Sequence, residues 1–347
     1  MDSKAEIRAW GGDKMQAAGA GLVEHYKKMA FMGFWEVITN LRTILRYIKK
    51  CKKDLLEWQP DVLVLVDYPG FNLRIAEFAK KNDIKTIYYI SPQVWAWHRS
   101  RAGKLAAIAD RLAVILPFEE QLFREYDADV RFVGHPLAFR SEPVPDRDAF
   151  CAALGLDPAR RILAVFPGSR AQEIERHLEP FLEAARRVVE ARWHLQPVVA
   201  RSPNVPAEAY AGVPFPVTTQ ARPLLAHAHV ALVKSGTTTL ETALAGVPMV
   251  IAYRTSPLTW WLARRLVKVE HVGLANLVAG RRIAPELLQD DATPAALAAA
   301  ILPLVDEGPA RAAALEGARE VQAALRPDGV GSAAERVAEL AAELLER

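Results

Sequence analysis

The sequence predicts an α/β protein built from two Rossmann-like, doubly wound domains with a cleft between them. Its 347 residues suffice for two domains, since a domain usually takes roughly 100–200 residues. Short apolar, β-branched runs alternate with longer amphipathic stretches, a pattern typical of parallel sheets with helices on both faces. A segment rich in proline and charge, Ser141–Ala149, separates two such series and is the predicted linker.

The first series predicts three strands and two intervening helices. Strands are expected at Asp61–Asp67, Lys85–Ser91 and Leu112–Pro117, since each is a run of apolar or β-branched residues. Helices are expected near Leu73–Lys81 and Ser100–Ala109. Because the strands are apolar throughout, both faces of their sheet are expected to be covered.

After the linker, a helix around Cys151–Leu154 opens the second series. Its four predicted strands are each followed by a helical stretch: Arg161–Pro167, His194–Arg201, His229–Ser235 and Val247–Arg254. The alanine-rich tail is predicted to be helical. Its boundaries are marked by a Thr293–Pro294 cap, a Gly308–Pro309 break and a capping box of Ser332 with Glu335.

Composition excludes several classes of protein. Hydrophobic residues make up 51% of the chain and charged residues 24%, the balance of a folded globular protein. The net charge of +3 gives no global footprint for nucleic acid, and no GxGxxG follows a strand as a dehydrogenase would need. The two cysteines lie far apart, so neither a disulfide framework nor a metal cluster is indicated, and a reducing cytoplasm fits best. No apolar run approaches the roughly 18 residues of a membrane span, and no signal peptide is visible.

The segment Phe166–Arg170 is the clearest candidate for an anion-binding loop. It lies between an apolar strand and a helix, so Gly168 and Ser169 can turn tightly while backbone N–H groups at the helix start face outward. Arg170 adds a forked cation that suits a diphosphate. A plain strand-to-helix turn with a surface arginine has the same pattern, and the local sequence leaves both interpretations open.

A second strand–turn–helix junction lies at Val233–Glu241. Small residues at Ser235, Gly236 and Thr237 would let a nucleotide approach the helix N-terminus, and Glu241 can accept hydrogen bonds from a ribose diol. A capped helix with an acidic residue near its start is the competing interpretation. Neither junction is a Walker A loop, but two such junctions in one domain favour binding of a nucleotide diphosphate.

Polar segments also follow strands of the first domain. Asp67 ends the most apolar strand. A carboxylate at this end of a parallel strand can point into the ligand crevice and act as a general base. Capping of the following turn is the competing interpretation. The segment Ser91–Arg99 combines two tryptophans with a histidine and an arginine, which suits a sugar or lipid-phosphate ligand, unless Trp95 or Trp97 belongs to the core. His135 ends a further strand, and closing a turn there is its favoured role.

Two amphipathic stretches combine aromatic and basic residues. Residues 31–53 place four apolar residues on one helical face, five basic residues elsewhere and an aromatic segment at the start: Val37, Leu41, Ile44, Ile48; Arg42, Arg46, Lys49, Lys50, Lys53; and Met32–Trp35. Residues 256–268 repeat the theme with Trp260, Trp261, Arg264 and Arg265. Such helices either cover a sheet with a solvated basic face or lie on an anionic membrane surface.

Taken in order, these motifs resemble those of the lipid-A-disaccharide synthases, inverting glycosyltransferases of the two-Rossmann, glycosyltransferase-B type. The resemblance covers essentially the whole chain. It rests on collinear segments: Gly11–Gly19, Met32–Val37, Val66–Asn72, Ser91–Trp97, Phe132–Pro136, Phe166–Arg170, Ser235–Glu241, Tyr253–Arg254 and Leu274–Gly280. Their common order is far more specific than any single loop.

The resemblance implies transfer of a 2,3-diacylglucosamine unit from its UDP derivative to the 6-hydroxyl of 2,3-diacylglucosamine 1-phosphate. UDP is released and a β-1,6 disaccharide forms. Asp67 and Arg170 become the catalytic residues. Asp67 would deprotonate the acceptor hydroxyl, while Arg170 and the amides of Gly168 and Ser169 would stabilise charge on the leaving diphosphate. No metal and no other cofactor is expected, because helix ends and the arginine take that role.

The resemblance assigns further residues to each substrate. The UDP-sugar is expected to contact Gly168, Ser169, Ser235, Gly236, Thr237, Glu241, Tyr253, Arg254 and Asn276. The acceptor and membrane side is assigned Asn72, Gln93, Trp95, Trp97, His135, Met32, Trp35, Trp260, Arg264 and Arg265. The enzyme is expected in the cytoplasm, peripherally on the inner leaflet of the inner membrane, with no nucleic-acid partner. The sequence is compatible with a homodimer and does not determine the oligomeric state.

The resemblance also predicts how the chain is divided. Residues 1–145 would be the acceptor and lipid-side domain, residues 146–325 the UDP-sugar domain, and residues 326–347 a helix that packs back on the first domain. Family members normally open with a strand and a GExSGD loop, whereas here only Met1–Glu6 precedes the strand Ile7–Trp10. The chain is therefore expected to lack a central strand and to have an open edge in the first sheet, a change that would reduce its stability or its activity.

Two other functions fit part of the pattern. Another UDP-sugar enzyme of the same two-domain type, such as a UDP-N-acetylglucosamine 2-epimerase, would explain the second domain but not the tryptophan-rich loop. A non-catalytic remnant that binds UDP-sugar or lipid would explain the missing strand. Turnover of lipid substrates distinguishes a synthase from both.

Overall fold

The computed structural model describes residues 5–28, 40–97, 100–266 and 270–346. The chain divides into two compact units. Unit 1 takes residues 1–115, 119–133 and 332–347, and unit 2 takes residues 116–118 and 134–331. Both contain parallel sheets with helices packed on them, which confirms the predicted α/β class with Rossmann-like domains.

Unit 1 has two separate parallel sheets among its described residues. In the smaller one, β1 (Arg8–Gly11) pairs with β2 (Gly21–His25), and α1 (Asp13–Ala17) connects them. The larger one contains, in spatial order, β3 (Val62–Val66), β4 (Lys85–Tyr89), β5 (Arg111–Val114) and β6 (Val130–Phe132). Within the described ranges β3 pairs with β4 alone, so the other edge of β3 is open.

Five helices accompany these strands: α2 (Leu41–Trp58), α3 (Pro69–Lys81), α4 (Val94–Trp97), α5 (Ser100–Ile108) and α6 (Pro117–Arg124). Helix α2 buries Ile44, Ile48, Cys51 and Leu55, which recur at helical spacing. Leu41 lies in the first turn of α2, beyond this buried stripe, and is 46% exposed. Leu41 therefore shares the predicted helical face with Ile44 and Ile48, although it is exposed, and Val37 lies outside the described residues.

The small sheet is attached to α2 by polar contacts. The indole N–H of Trp10 on β1 donates to the Asp54 carboxylate at 2.7 Å. Glu24 on β2 accepts from Lys50 at 2.6 Å, and hydrogen bonds from Lys28 and Lys50 lower the pKa of this carboxyl to about 2. Lys50 therefore forms an ion pair within unit 1. From the sequence, it was expected on a basic face turned to solvent or to a membrane.

Unit 2 contains one six-stranded parallel sheet. Its strands are β7 (Arg161–Phe166), β8 (Leu195–Ala200), β9 (Val217–Thr218), β10 (Ala228–Lys234), β11 (Met249–Tyr253) and β12 (Glu286–Leu288). Their spatial order is β12-β11-β10-β7-β8-β9. The four predicted strands are confirmed as β7, β8, β10 and β11. They form the centre of the sheet and are almost wholly buried, which is why they read as continuous apolar runs.

The helices of unit 2 are α7 (Arg147–Leu154), α8 (Ala171–Ala191), α9 (Ala221–His227), α10 (Thr237–Leu244), α11 (Pro257–Leu266), α12 (Leu274–Ala279), α13 (Pro294–Val305) and α14 (Pro309–Leu325). The Asp146 carboxylate accepts from the Ala149 N–H at 2.8 Å and caps α7. The helix thus begins inside the predicted linker Ser141–Ala149, and that whole segment belongs to unit 2. The predicted cap at Thr293 is confirmed.

One further helix, α15 (Ala333–Leu345), belongs to unit 1 and begins at the predicted Ser332 cap. Arg111 on β5 is fully buried, and its guanidinium donates at 3.0 Å to the Leu340 carbonyl and to the Glu343 carboxylate. Lys85 on β4 donates to the Leu344 carbonyl at 2.8 Å. Two cations therefore bind the C-terminal end of α15, where the helix dipole favours positive charge.

Candidate active site

The predicted anion loop lies between β7 and α8 and is folded back on the first turn of α8. Gly168 has φ +141°, and a Cβ there would lie only 2.6 Å from the Cβ of Glu173. The Ser169 N–H donates to Glu173 Oε2 at 2.8 Å. Glycine is needed at this position for two reasons. A side chain would collide with Glu173, and residues other than glycine disfavour this positive φ.

Glu173 is the centre of a cluster that the sequence did not predict. Its Oε2 also lies 3.3 Å from the Ser169 hydroxyl, and its Oε1 accepts from Lys234 Nζ at 2.8 Å. Arg170 Nη1 lies 3.8 Å from the same Oε1, although the Arg170 side chain is 74% exposed. Burial raises the pKa of the Glu173 carboxyl, but hydrogen bonds from Lys234 and Ser169 outweigh it, so the net shift is downward. The carboxylate is therefore charged.

His177 connects this cluster to the end of β11. Its ring is buried, its Nδ1 lies 2.7 Å from the Glu173 carbonyl oxygen, and its Nε2 accepts from the Arg254 N–H at 2.8 Å. A backbone N–H can only donate, so Nε2 is the acceptor and Nδ1 carries the proton. Burial lowers the pKa of His177, which favours this neutral form. The adjacent Tyr253 ring has Lys234 Nζ 5.3 Å from its centroid.

The second junction is partly used for internal contacts. The Ser235 hydroxyl is buried and donates to the Val272 carbonyl at 2.8 Å. Gly236, with φ +150°, precedes α10, and Thr237 is exposed in the first helical turn. Glu241 is half-buried, with Arg140 Nη1 3.4 Å from its Oε1, and burial raises its pKa. Thr237 and the partly exposed Glu241 carboxyl are therefore the side chains of this junction that reach solvent.

Asn276 is fully buried, and its amide is used completely within unit 2. Its nitrogen donates to the Ala284 carbonyl and to Glu286 Oε1, and its oxygen accepts from the N–H groups of Ile283 and Ala284. Glu286 in turn accepts from the Gly273 N–H at 2.9 Å. Asn276 therefore holds the loops at either end of α12 in place.

In unit 1, Asp67 lies directly after β3 in a strained turn. Asp67 has φ +47° and Tyr68 has φ +43°, two successive residues in a region that side chains disfavour. The Asn72 amide donates to the carbonyls of Val66 and Asp67 at 3.0 and 2.7 Å, and the Tyr88 hydroxyl donates to the Asp67 carbonyl at 2.8 Å. These contacts hold the exposed Asp67 at the carboxyl end of the strand. Asn72, predicted on the acceptor side, thus braces this turn.

The tryptophan-rich loop begins at the end of the neighbouring strand β4. Ser91 Oγ and Trp95 Nε1 donate to Glu119 Oε1 at 3.1 and 3.2 Å, and Glu119 is buried. Trp95 is thus anchored by its polar edge, while Gln93 is exposed. The predicted positions of Met32 and Trp35, and the Trp97 side chain, lie outside the described residues.

His135 closes a turn, the role favoured for it by the sequence. It precedes the 3-10 turn Pro136–Phe139, and its Nδ1 accepts from the Leu137 N–H at 3.2 Å. Burial, with a smaller contribution from the Arg140 charge, lowers its pKa from 6.5 to about 4. The imidazole is therefore neutral at physiological pH.

The lowered pKa of His135 makes stability depend on pH. The unfolded chain takes up a proton near pH 6.5 and the folded chain only near pH 4, so stability is complete above pH 6.5 and is lost as the pH falls. Between pH 7 and pH 5 we expect a loss of about 2 kcal/mol from this residue. Urea unfolding at both pH values measures it. The His135→Asn variant keeps an acceptor for the turn but has no group that titrates there, so its unfolding free energy should fall less between pH 7 and pH 5, by about that amount. An identical pH dependence in the two chains would contradict this role.

Helix α11 exposes part of its aromatic and basic residues. The Trp261 side chain is 51% exposed, and the Arg265 guanidinium lies 3.6 Å from its ring centroid. Trp260 is half-buried and Arg264 is exposed, and both line a pocket of about 620 Å³ that also contains Arg282. Unit 2 therefore has a solvent-facing helix with apolar and cationic side chains together.

The described residues contain neither a metal-binding cluster nor a helix that could span a membrane. In those ranges no three His, Cys, Asp or Glu side chains are grouped to hold a metal ion. No helix in the same ranges combines the length and the apolar composition that crossing a membrane requires.

Solved structures with the same fold include a glycotransferase and a UDP-GlcNAc 2-epimerase. The glycotransferase of kitacinnamycin matches with a TM-score of 0.63 and 19% identity, covering 96% of this chain and 90% of that one. A UDP-GlcNAc 2-epimerase from Neisseria meningitidis, bound to UDP-GlcNAc, matches with a TM-score of 0.60 and 12% identity over 95% and 87%. At these identities the likeness establishes the two-domain glycosyltransferase-B fold.

Sequence comparison is more specific. The profile of the family described as lipid-A-disaccharide synthetase matches residues 1–340. Lipid-A-disaccharide synthase from Trichlorobacter lovleyi is 41% identical over 97% of this chain and 89% of that protein, and the one from Geobacter sulfurreducens is 38% identical over 99% and 91%. These relatives do not favour the epimerase or the remnant. The chain belongs to the lipid-A-disaccharide synthase family and is a glycosyltransferase of lipid A biosynthesis.

Proposed function

We propose that this chain condenses UDP-2,3-diacylglucosamine with 2,3-diacylglucosamine 1-phosphate, releasing UDP and forming the β-1,6 disaccharide. One observation carries the assignment of the donor site to unit 2. The Ser169 N–H and the cations of Lys234 and Arg170 converge on a single anionic group at the start of α8. This donor set matches the charge and the hydrogen-bonding needs of a diphosphate.

Unit 2 takes the UDP-sugar in this proposal. Arg170 is the most exposed cation of the cluster, so it can reach a bound diphosphate without giving up a buried contact. As the bond from the sugar to the diphosphate breaks, negative charge grows on the leaving oxygen. Arg170 and the Ser169 N–H stabilise that charge, which lowers the barrier to departure.

Unit 1 takes the acceptor. The Asp67 carboxylate accepts the proton of the acceptor hydroxyl as its oxygen attacks the anomeric carbon. The strained turn supports this role, because Asn72 and Tyr88 hold the backbone of Asp67 while its carboxylate faces solvent. Attack opposite to the leaving diphosphate inverts the anomeric centre and gives the β linkage.

Release of UDP that depends on the acceptor tests this function. The purified chain is incubated with UDP-2,3-diacylglucosamine, with and without 2,3-diacylglucosamine 1-phosphate, and UDP is quantified. We expect UDP only when both substrates are present. UDP release without acceptor would indicate hydrolysis, and conversion of UDP-N-acetylglucosamine alone would indicate the epimerase that shares the fold.

We propose further that the enzyme works peripherally at the cytoplasmic face of the inner membrane, because both substrates carry acyl chains. Helix α11 is the surface that supports contact with anionic lipid. Trp261 offers an exposed aromatic ring, while Arg264 and Arg265 offer cations for phosphate headgroups.

Replacing Trp261 by alanine is expected to weaken binding to phosphatidylglycerol vesicles by about tenfold, the effect of withdrawing one large aromatic side chain from the interface. Co-sedimentation with vesicles measures it. Trp193→Ala is the matched control, since Trp193 is 79% exposed but lies away from α11, at the end of α8. Equal losses for both variants, or none for Trp261→Ala, would contradict the assignment of α11.

A further inference from the structure

Glu173 occupies the position that the proposed function gives to a phosphate. Its two carboxylate oxygens take the Ser169 N–H, the Ser169 hydroxyl and the Lys234 ammonium, at 2.8, 3.3 and 2.8 Å. Arg170 is the next cation, at 3.8 Å. The Ser169 N–H, the Ser169 hydroxyl and the Lys234 ammonium are therefore already bound to an anion, and this anion belongs to the protein.

A backbone N–H cannot serve Glu173 and a phosphate at full strength together. It has one hydrogen, and the bond to Glu173 at 2.8 Å is a charge-assisted bond of normal length. A diphosphate that uses the Ser169 N–H must take it from the carboxylate. Repulsion between the carboxylate and the diphosphate acts in the same direction, because both are anions near the start of α8.

The loop is built to close on Glu173. Gly168 brings the backbone so near that a Cβ would lie 2.6 Å from Glu173 Cβ. On the other side of the loop the Ser202 hydroxyl donates to the Ser169 carbonyl at 3.2 Å. The contact between loop and carboxylate is thus supported by the backbone on both sides of Ser169, and it involves more than one flexible side chain.

Lys234 has a second neighbour to which it can turn. Its ammonium lies 5.3 Å from the Tyr253 ring centroid and keeps three donor hydrogens, of which Glu173 takes one. The lysine side chain is only 15% exposed. Because it is largely removed from water, salt screens its attraction to a nearby anion only weakly. Lys234 can therefore bridge from Glu173 to an incoming phosphate.

We propose that Glu173 is an internal competitor for the diphosphate, and that nucleotide binding transfers the Ser169 N–H and the Lys234 ammonium from Glu173 to the phosphates. This proposal rests on the proposed function, since it concerns the same donor site. It makes Lys234 a ligand of the diphosphate and Glu173 a positioning residue that acts through Ser169 and Lys234. Return of Glu173 to these donors after transfer helps to expel UDP, because the closed loop again has its own anion.

Affinity for UDP in the Glu173→Gln variant tests the proposal. Glutamine keeps the size of the side chain and an oxygen for the Ser169 N–H, but it removes the competing charge. We expect UDP to bind about tenfold more tightly by calorimetry, the change that weakening one charge-assisted hydrogen bond produces. Lys234→Met is expected to bind UDP about tenfold more weakly. The turnover number of Glu173→Gln is expected to fall as UDP release slows.

Glu175→Gln is the matched control. Glu175 lies in the same turn of α8, is exposed, and loses the same charge on substitution without belonging to the cluster. Its affinity for UDP is expected to stay within twofold of the unsubstituted chain. A gain as large as that of Glu173→Gln would attribute the effect to general electrostatics and overturn the proposal.

Failure of the inference can be separated from failure of the function. Unchanged or weaker UDP binding in Glu173→Gln, with measurable binding by the unsubstituted chain, overturns the inference alone. No UDP binding by any of the four chains, the unsubstituted one and the three variants, overturns the proposed function and the inference with it. Should Glu173→Gln not fold, a structure of the unsubstituted chain with UDP decides. A phosphate oxygen at the Ser169 N–H supports competition, and an intact bond to Glu173 overturns it.

Discussion

Replacing Asp67 by asparagine is expected to lower kcat about a thousandfold, since the variant keeps the shape of the turn but cannot accept the acceptor proton. Binding of the UDP-sugar should change little, because Asp67 belongs to unit 1 and the donor site is assigned to unit 2. Steady-state kinetics with both substrates varied measures the two effects separately. The main effect should therefore be on kcat.

A surface aspartate of the same unit provides the control for this substitution. Asp61 precedes β3 and is exposed, so Asp61→Asn changes the same charge at the other end of the strand. Its kcat should match that of the unsubstituted chain. An Asp67→Asn variant that retains a tenth or more of the activity would exclude Asp67 as the general base.

Replacing Arg170 by methionine is expected to lower kcat by about 10²–10³, the effect usually seen when one group that stabilises transition-state charge is removed. The loss in kcat should exceed any rise in the KM for UDP-sugar, because charge on the diphosphate is greatest as the bond breaks. The Arg170 side chain is 74% exposed, so the fold should tolerate the change. Initial rates across a range of UDP-sugar concentrations provide both constants.

Arg186→Met serves as the comparison for Arg170. Arg186 lies on α8, is half-exposed, and pairs with Glu183 on the surface of the same helix. Removing it takes away an equal charge from the same element, and we expect kcat within twofold of the unsubstituted chain. A pure rise in KM for Arg170→Met, with kcat preserved, would show that Arg170 binds substrate without stabilising the departing diphosphate.

The fold was predictable wherever buried strands produced long apolar runs. Strands β7, β8, β10 and β11 are central and buried, so their sequences contain few polar residues. Strands β9 and β12 escaped prediction because Val217–Thr218 and Glu286–Leu288 are too short to show a period. The expectation that both faces of the first sheet are covered is wrong for β3, since Val64 and Val66 on this strand are 39% and 46% exposed.

The sequence predicted the loops of the site, but it did not predict the side chains that contact those loops. Gly168, Ser169 and Arg170 have a local signature, since strand, glycine turn and helix follow one another in sequence. Glu173 and Lys234 are 61 residues apart, and no local pattern indicates that they pair. The weak signal that was available is the spacing of Glu173, one turn into the helix after Ser169.

For Asn276 and Asn72, the sequence identified the motif but not what the side chain contacts. Both lie in motifs shared with the family, and a motif does not indicate whether a polar side chain faces ligand or backbone. In the structure Asn276 is buried and bonded to Ala284 and Glu286, and Asn72 bonds to the carbonyls on either side of the Asp67 peptide. Their contribution to the site is the shape of the loops that carry its exposed groups.

Formation of the disaccharide by the purified chain tests the central claim most directly. The two diacylglucosamine substrates are incubated with the unsubstituted chain, with Asp67→Asn and with Arg170→Met, and the lipid products are identified by mass spectrometry and by the anomeric proton coupling. We predict a β-linked disaccharide 1-phosphate from the unsubstituted chain and almost none from either variant. Equal product from all three chains, or an α linkage, would contradict the account.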